Sequence, residues 1–321
     1  QLDDIIGNCD SMKELRQMIC TVGPTEATVL ILGESGTGKE LIAGAIHQAS
    51  HRREENYVRL NCAAIPESLL ESELFGHEKG AFTGAIKQKI GQVEEANGGT
   101  LVLDEIGEMS RSLQSKLLRF LEDGTFVRVG GTEEHKVDVR IVAATNRDII
   151  EAIEEGEFRE DLYHRLNVVQ LRVTPLRDRD GDVMLLAEHF LSKFGRKMNK
   201  LFDPVTTEVK HVLTSHHWPG NVRELRNTIE RAVILATSSE IQPNNLPDFQ
   251  LETRLRKEDS SEMSYDGLGL EEALASFERN MIQNELARND NNLSRAAQKL
   301  QISRHALRYR ITRLKIPPKS G

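Results

Sequence analysis

Between residue 29 and about residue 173, short aliphatic and β-branched runs alternate with stretches of helical period. The runs fall at 29–32, 101–103, 139–142 and 168–171. Strands separated by helix-length connections predict a parallel sheet covered by helices, here an α/β subdomain over 1–173. Beyond Pro175 the runs stop, and 182–236 is helical in period, which predicts a helical subdomain over 174–237. Residues 238–269 collect Ser, Pro, Asn and a mixed charge run at 254–259, and they read as a flexible linker. A final helical unit occupies 270–321.

The first strand leads into Gly33, Glu34, Ser35, Gly36, Thr37, Gly38 and Lys39, and a helix-like stretch follows. Strand, glycine loop and helix form the context of a phosphate-binding loop. Glycines let backbone N–H groups approach phosphate oxygens, the helix points its positive end at them, and Lys39 supplies charge for the β and γ phosphates. Glu40 and Leu41 complete the candidate nucleotide-binding segment. Glu40 stands where Ser or Thr usually offers a hydroxyl to Mg²⁺, which puts metal ligation by this loop in question. The run at 101–103 ends in Asp104 and Glu105. After a phosphate loop such a pair reads as Mg²⁺ ligand (Asp104) and water-polarising base (Glu105), so ATP hydrolysis is the expected chemistry. The run at 141–145 ends in Asn146, placed either to sense the γ-phosphate or to cap the next helix. Arg159 and Arg165, six apart, are candidate arginine fingers only in this context. Arg223 follows Trp218, Pro219, Gly220 and Asn221 in the helical subdomain and would face the nucleotide across a cleft.

Composition narrows the remaining chemistry. A net charge of -8 over 321 residues argues against a surface that coats nucleic acid, so any DNA contact must be local. That locality is found after residue 293, where eight Lys or Arg occur and no acidic residue. There one helix ends near Leu300, Gln301 and Ile302 turn, and Ser303 caps a second helix over 304–314. Ala306, Leu307, Ile311 and Leu314 form its apolar stripe. Arg304, His305, Arg308 and Tyr309, with Arg295 and Arg310, are candidate DNA contacts; a merely solvated basic face is the bland alternative. Ahead of it Leu270, Ala273, Leu274, Phe277, Met281, Ile282 and Leu286 recur at helical spacing, either as core or as the seam that pairs two domains. Cys9, Cys20 and Cys62 read as reduced thiols of a cytoplasmic protein, and no run is long enough to span a membrane. Gln1 in place of Met points to residues upstream.

Gly80, Ala81, Phe82, Thr83, Gly84 and Ala85 set an aromatic and a hydroxyl between glycines. Glycines weaken any regular element there, so an exposed contact tip competes with a buried Phe in an ordinary turn. With this hexapeptide the chain resembles the sigma-54-dependent, NtrC-like transcription activators. The resemblance extends to GESGTGKE at 33–40, LNCAA at 60–64, LVLDE at 101–105, FREDLYHRL at 158–166 and WPGNVREL at 218–225. It implies an AAA+ ATPase with ATP and Mg²⁺, a hexameric ring, and remodelling of sigma-54 RNA polymerase. It also implies a Fis-type helix-turn-helix, dimeric on upstream double-stranded DNA, although Gln301 replaces a frequent turn glycine. By the same resemblance Glu40 is usual, residues 80–85 grip sigma-54 through Phe82 and Thr83, and the nucleotide state sets the height of that loop through Asn61 acting as a switch on Glu105. Residues 130–135 would support that loop, Arg159 and Arg165 would reach a neighbour's ATP, and Ile6 and Gly7 would lie near the adenine. A non-remodelling repressor and another AAA+ machine are the rival readings; the intact hexapeptide opposes the first and the Fis-like end the second.

Overall fold

A computed structural model describes residues 2–249, 270–288, 293–300 and 302–314. The chain divides into two compact units, 1–249 and 250–321. In the first, five parallel strands lie in the order β2 (Tyr57–Asn61), β5 (Thr100–Asp104), β8 (Arg140–Thr145), β1 (Val29–Leu32) and β9 (Val169–Arg172). Period-two alternation sorts their side chains between two cores. Leu30, Leu101, Leu103, Ile141 and Ala143 join one core with α3 (Glu67–Phe75), α5 (Arg111–Asp123) and α7 (Glu160–Leu166). Val29, Ile31, Val102, Val142 and Ala144 join the other, with α1 (Asp10–Val22) and α2 (Lys39–Gln48). All six residues of β8 are buried, as expected of a central parallel strand, whereas the edge strand β9 buries only Leu171.

Two small hairpins project from this scaffold. One pairs β3 (Gly76–His77) with β4 (Lys89–Ile90); the other pairs β6 (Thr125–Val127) with β7 (Glu134–Lys136). Short helices α4 (Gln92–Glu95) and α6 (Ile149–Glu154) complete the sheet region. The helical subdomain consists of α8 (Asp182–Lys197), α9 (Thr207–Ser215) and α10 (Asn221–Leu235) around Trp218, Leu213, Leu225 and Phe194. Its boundary differs from the sequence expectation. Ile241 and Leu246, placed in the linker, are buried in this same core, and Phe249 packs on it, because an apolar residue every few positions gives the segment something to bury. The rest of that linker, 250–269, lies outside the described residues.

The second unit holds helices Leu270–Arg288, Leu293–Lys299 and Arg304–Arg313. Ile282, Ala296, Ala297, Leu307 and Leu314 form its small core. Leu274, Phe277 and Met281, spaced three and four apart on the first helix, are about half exposed. Among the described residues no helix is long and apolar enough to cross a membrane.

Leu213 is fully buried in the helical subdomain and far in sequence from the phosphate loop. Leu213→Ala is expected to cost about 2–5 kcal/mol of that subdomain's stability, read from denaturant unfolding; a loss well below this would mean the core is loosely packed.

Candidate nucleotide site and its surrounding loops

The glycine loop turns at the carboxyl end of β1, between β8 and β9, where successive connections leave on opposite sides of the strand. Gly36 and Gly38 take positive φ, +77° and +100°, and Gly38 caps α2. A side chain at Gly36 is also excluded by space, since its Cβ would stand 2.3 Å from the Gly220 carbonyl oxygen. Thr37 Oγ1 donates to Glu34 O at 2.7 Å and closes the loop. Lys39 is nearly buried; its ammonium donates to Gly33 O at 2.9 Å and approaches Glu105 Oε1 at 3.4 Å. A buried cation, left-handed glycines and the N-terminus of a ten-residue helix converge here, which suits a polyphosphate.

β5 delivers the acidic pair to the same edge. Asp104 Oδ1 accepts from its neighbour's N–H at 3.0 Å, and Glu105 is held between Lys39 and the backbone N–H of Asn146 at 3.0 Å. Glu105 has φ +52°, a conformation costing on the order of 1–3 kcal/mol for a residue with Cβ and typical of functional sites. Among the described residues no group of three or more His, Cys, Asp or Glu could hold a metal ion. A divalent cation at Asp104 would therefore complete its shell with nucleotide and water oxygens, as Mg²⁺ prefers.

Three expected roles differ in detail. Glu40 pairs with Arg59 on β2, so its carboxylate is turned to the protein surface and only its backbone serves the loop. Asn61 stands beside Asp104 in register, yet its Oδ1 accepts from Ala63 and Ala64 N–H while Glu105 is held elsewhere. Asn146 does not cap α6; Asp148 does, accepting from Ile150 and Glu151. Asn146 is left exposed at the strand end, beside Glu105.

The helical subdomain closes directly on the glycine loop. Asn221, fully buried with φ +51°, donates to Glu34 Oε2 and Ser35 O, both at 3.1 Å, and accepts from Leu176 N–H at 2.8 Å. Arg223 reaches Ser35 Oγ at 3.2 Å and its N–H bonds Gly36 O. Arg177 forks onto Glu34 at 2.6 and 2.9 Å. Beside this clasp lies a cavity of about 330 Å³, walled by Ile5, Ile6, Leu41, Leu186, Phe190 and Val222 with Asp4, His189 and Lys193 at its polar side. Its size and apolar walls suit a purine base. Gly7 lies behind the wall, where a Cβ would stand 2.7 Å from Asp182 Oδ2. Arg179 is buried under the loop and donates to Thr37 O at 3.2 Å; burial depresses its pKa below the ordinary guanidinium value.

Arg159 and Arg165 point away from this pocket. Arg159 forks onto Asp161 and donates to Ser115, and Arg165 donates to Leu121 O at 2.7 and 2.9 Å. Residues 80–85 cross the tip of the first hairpin. Phe82 is 38% exposed, Thr83 and Gly84 are exposed, and Ala85 is buried. The stretch at 130–135 belongs to the second hairpin, and Gly130 lies so close to Ala81 that an added Cβ would meet it at 2.6 Å. In the second unit Ser303 Oγ accepts from Ala306 N–H at 3.1 Å, as a cap should. Arg295, Arg304, His305, Arg308 and Tyr309 are exposed, whereas Arg310 is turned, with Arg313, onto Glu278. That ion pair removes Arg310 from the outward basic face on which it was expected.

Comparison with known proteins decides the family. A family model described as the sigma-54 interaction domain matches residues 5–172, one for the AAA+ ATPase lid domain matches 177–263, and one for the Fis family of bacterial regulatory proteins matches 273–314. The chain belongs to the sigma-54-dependent activators. Regulatory protein AtoC of Escherichia coli K12 is 46% identical over 318 residues, 99% of this chain and 69% of that protein. Nitrogen fixation protein AnfA of Azotobacter vinelandii is 50% identical over 317 residues, but the chain spans only 58% of it. It spans 45% of the Nif-specific regulatory protein of the same organism. The crystal structure of NtrX from Brucella abortus with ATP superimposes with a TM-score of 0.71 at 37% identity, covering 98% of this chain and 69% of that one.

For this member of the family, the sequence reading left out Arg177, Asn221 and Arg179. Asn221 lies inside the WPGNVREL motif at 218–225, but Arg177 is 143 positions from Glu34 and carries no local signal. Its guanidinium, then the Asn221 amide, holds the Glu34 carboxyl below the usual carboxylate range. A depressed carboxyl stabilises the clasp above its ordinary pKa and loses that contribution as pH falls through the lowered value. Both side chains are 41% exposed, which limits the pair to about 1 kcal/mol. Arg177→Ala is expected to raise nucleotide Kd by up to about fivefold at pH 7. In a binding titration, the gap between parent and variant should narrow as the pH approaches the carboxylate range.

Proposed function

We propose that the chain hydrolyses ATP in a homo-oligomeric ring, a hexamer, and uses the work to remodel sigma-54 RNA polymerase from the closed to the open promoter complex. The observation that carries this reading is the sharing of one scaffold by two sites. The acidic pair ends β5, Asn61 ends the paired strand β2, and α3 runs from there to the hairpin bearing Gly80, Ala81, Phe82, Thr83, Gly84 and Ala85. Lys39 neutralises the β and γ phosphates, Asp104 holds Mg²⁺, and Glu105 takes the proton of the attacking water while Asn146 marks the γ-phosphate. Arg223 follows the nucleotide from the lid, and the base occupies the cavity beside Ile6 and Leu41. NtrX from Brucella abortus, crystallised with ATP and with ADP, supports nucleotide binding by this chain. Arg159 and Arg165, turned from their own pocket, complete the site of a neighbouring subunit. The second unit anchors the ring to upstream double-stranded DNA through Arg304, His305, Arg308 and Tyr309, with Arg295 and Ser303 near the phosphates. Its half-exposed Leu274, Phe277 and Met281 pair two such units. The protein works in the cytoplasm, with its polymerase.

Glu105→Gln separates binding from chemistry: ATP should still bind with Mg²⁺, while phosphate release falls by at least about 100-fold. Thr83→Ala separates chemistry from remodelling, leaving ATPase near the parental rate and abolishing open complexes in a purified sigma-54 transcription assay. Full transcription by Thr83→Ala, or parental turnover by Glu105→Gln, would overturn the corresponding half of the reading.

Shared sites are tested by mixing. Arg165→Ala and Glu105→Gln subunits are each expected to be nearly inactive alone, since every interface lacks one partner. In an equal mixture, about a quarter of interfaces regain both partners if sites act independently. ATPase activity at fixed total protein should therefore rise above both parents. A flat response, with subunit exchange shown separately, would place Arg165 outside the neighbour's site.

A further inference from the structure

We propose that His77 is the positioning residue that holds Phe82 down on the hairpin, so that raising the 80–85 loop requires breaking the contact between the two rings. The inference rests on the reading of 80–85 as the sigma-54 contact. The loop is a body closed on itself: Gly80 N–H bonds Ala85 O at 2.8 Å, and Ala85 N–H bonds Phe82 O at 3.0 Å. Gly80 and Gly84 hold φ of +85° and +108°, and nothing lies within 4 Å of the Cβ either would carry. Their glycines are thus required by backbone conformation and leave open space around the loop. What ties this body to the scaffold is the packing of Ala81 by Gly130, the burial of Ala85, and the edge-on contact of Phe82 with His77, 5.0 Å between centroids at 67°.

His77 is itself immobilised from three sides. Its backbone pairs with Lys89 on one side and Val129 on the other. Its ring Nε2 lies 3.0 Å from Lys87 O and its Nδ1 2.7 Å from Ser72 Oγ. A carbonyl oxygen only accepts, so Nε2 carries the hydrogen, and in the neutral ring Nδ1 accepts from the Ser72 hydroxyl. With both nitrogens engaged the ring cannot turn, and the surface it presents to Phe82 is fixed. Ser72 sits in the second half of α3, whose start is tied by the 61–64 turn to the end of β5. A shift of α3 therefore reaches Phe82 through Ser72 and His77.

Two substitutions separate the ring contact from the hydrogen bonds. His77→Gln keeps a donor for Lys87 O and removes the aromatic partner; His77→Phe keeps an aromatic edge and removes both hydrogen bonds. With the full chain bound to ADP, His77→Gln is expected to tighten sigma-54 binding by about 2- to 10-fold, because Phe82 is no longer docked. His77→Phe should stay at the parental value, and ATPase should stay near parental for both. A second readout needs no sigma-54: with fluorinated phenylalanine incorporated, the Phe82 resonance of His77→Gln should show a larger solvent isotope shift than the parent's. Parental affinity and parental isotope shift in His77→Gln overturn the proposal, and so does an equal change in both variants, which would trace the effect to the hydrogen-bonded stem. If the parent binds no sigma-54 in any nucleotide state, yet His77→Gln enlarges the isotope shift, the latch stands and the sigma-54 reading falls.

Discussion

The carboxylate of Glu34 ties the phosphate loop to the helical subdomain, and the geometry of the nucleotide site depends on that tie. Arg177 and Asn221 bind it from positions 143 and 187 residues later in the chain. Arg223 and Gly220 then lie against Ser35 and Gly36 so closely that only glycine fits at 36. The cost is visible in the backbone: Trp218 and Asn221 both hold positive φ, and both are fully buried, so the strain is locked in by packing. A loop fixed in this way cannot rearrange around a phosphate without moving the lid. That is the mechanical property a nucleotide-driven machine requires.

The second constraint is the sheet. Of the groups that the proposed chemistry uses, Lys39, Asp104, Glu105 and Asn146 stand at the carboxyl ends of β1, β5 and β8, as expected of an open parallel sheet at its switch point, while Arg159 and Arg165 come from α7. The residue after β5, Glu105, takes positive φ, which turns it back between Lys39 and Asn146 instead of letting the strand run on. Glu105, the proposed base, is thereby held by two partners, and groups held in this way are what electrostatic catalysis relies on.

Much of this was legible in the sequence, and what was legible is what local rules encode. Apolar runs located four of the five sheet strands and missed β2, which buries only Leu60, and the glycine loop and the Asp104–Glu105 pair are brought to one edge of the sheet. Ser303 read correctly as a cap because an N-cap is a contact three residues long. What escaped notice is long-range. The Glu34–Arg177 fork joins two unremarkable charges, and the Arg59 partner of Glu40 and the Glu278 partner of Arg310 belong to the same class. The linker was placed too early because Ile241 and Leu246 are single apolar residues in polar text, and only the existing lid core makes them buried. The resemblance implied Asn61 as a switch on Glu105; here Asn61 Oδ1 accepts from Ala63 and Ala64 instead, and a hydrogen-bond partner is a property of a conformational state that cannot be read from spacing.

The route from the acidic pair to the 80–85 loop limits where motion can occur. Cys62 N–H donates to Asp104 O at 2.9 Å, so the start of the route is bonded to the end of β5. From there α3, nine residues and about 13 Å long, buries Leu70, Leu74 and Phe75 in the main core and so moves as a rigid piece. The return stem is no softer: Gly91 packs so tightly on Gly76 that a Cβ would stand 2.4 Å from its nitrogen, and Val93 just beyond is fully buried. Arg128 further pins the outgoing stem by binding Glu78 at 2.9 Å and Glu94 at 2.7 Å. Between the two held stems, Gly80 and Gly84 take left-handed backbone with nothing within 4 Å of the Cβ either would carry. In the proposed mechanism a displacement of α3 rocks the 80–85 body on its stem, and the exposed residues of that body include Phe82, Thr83 and Gly84.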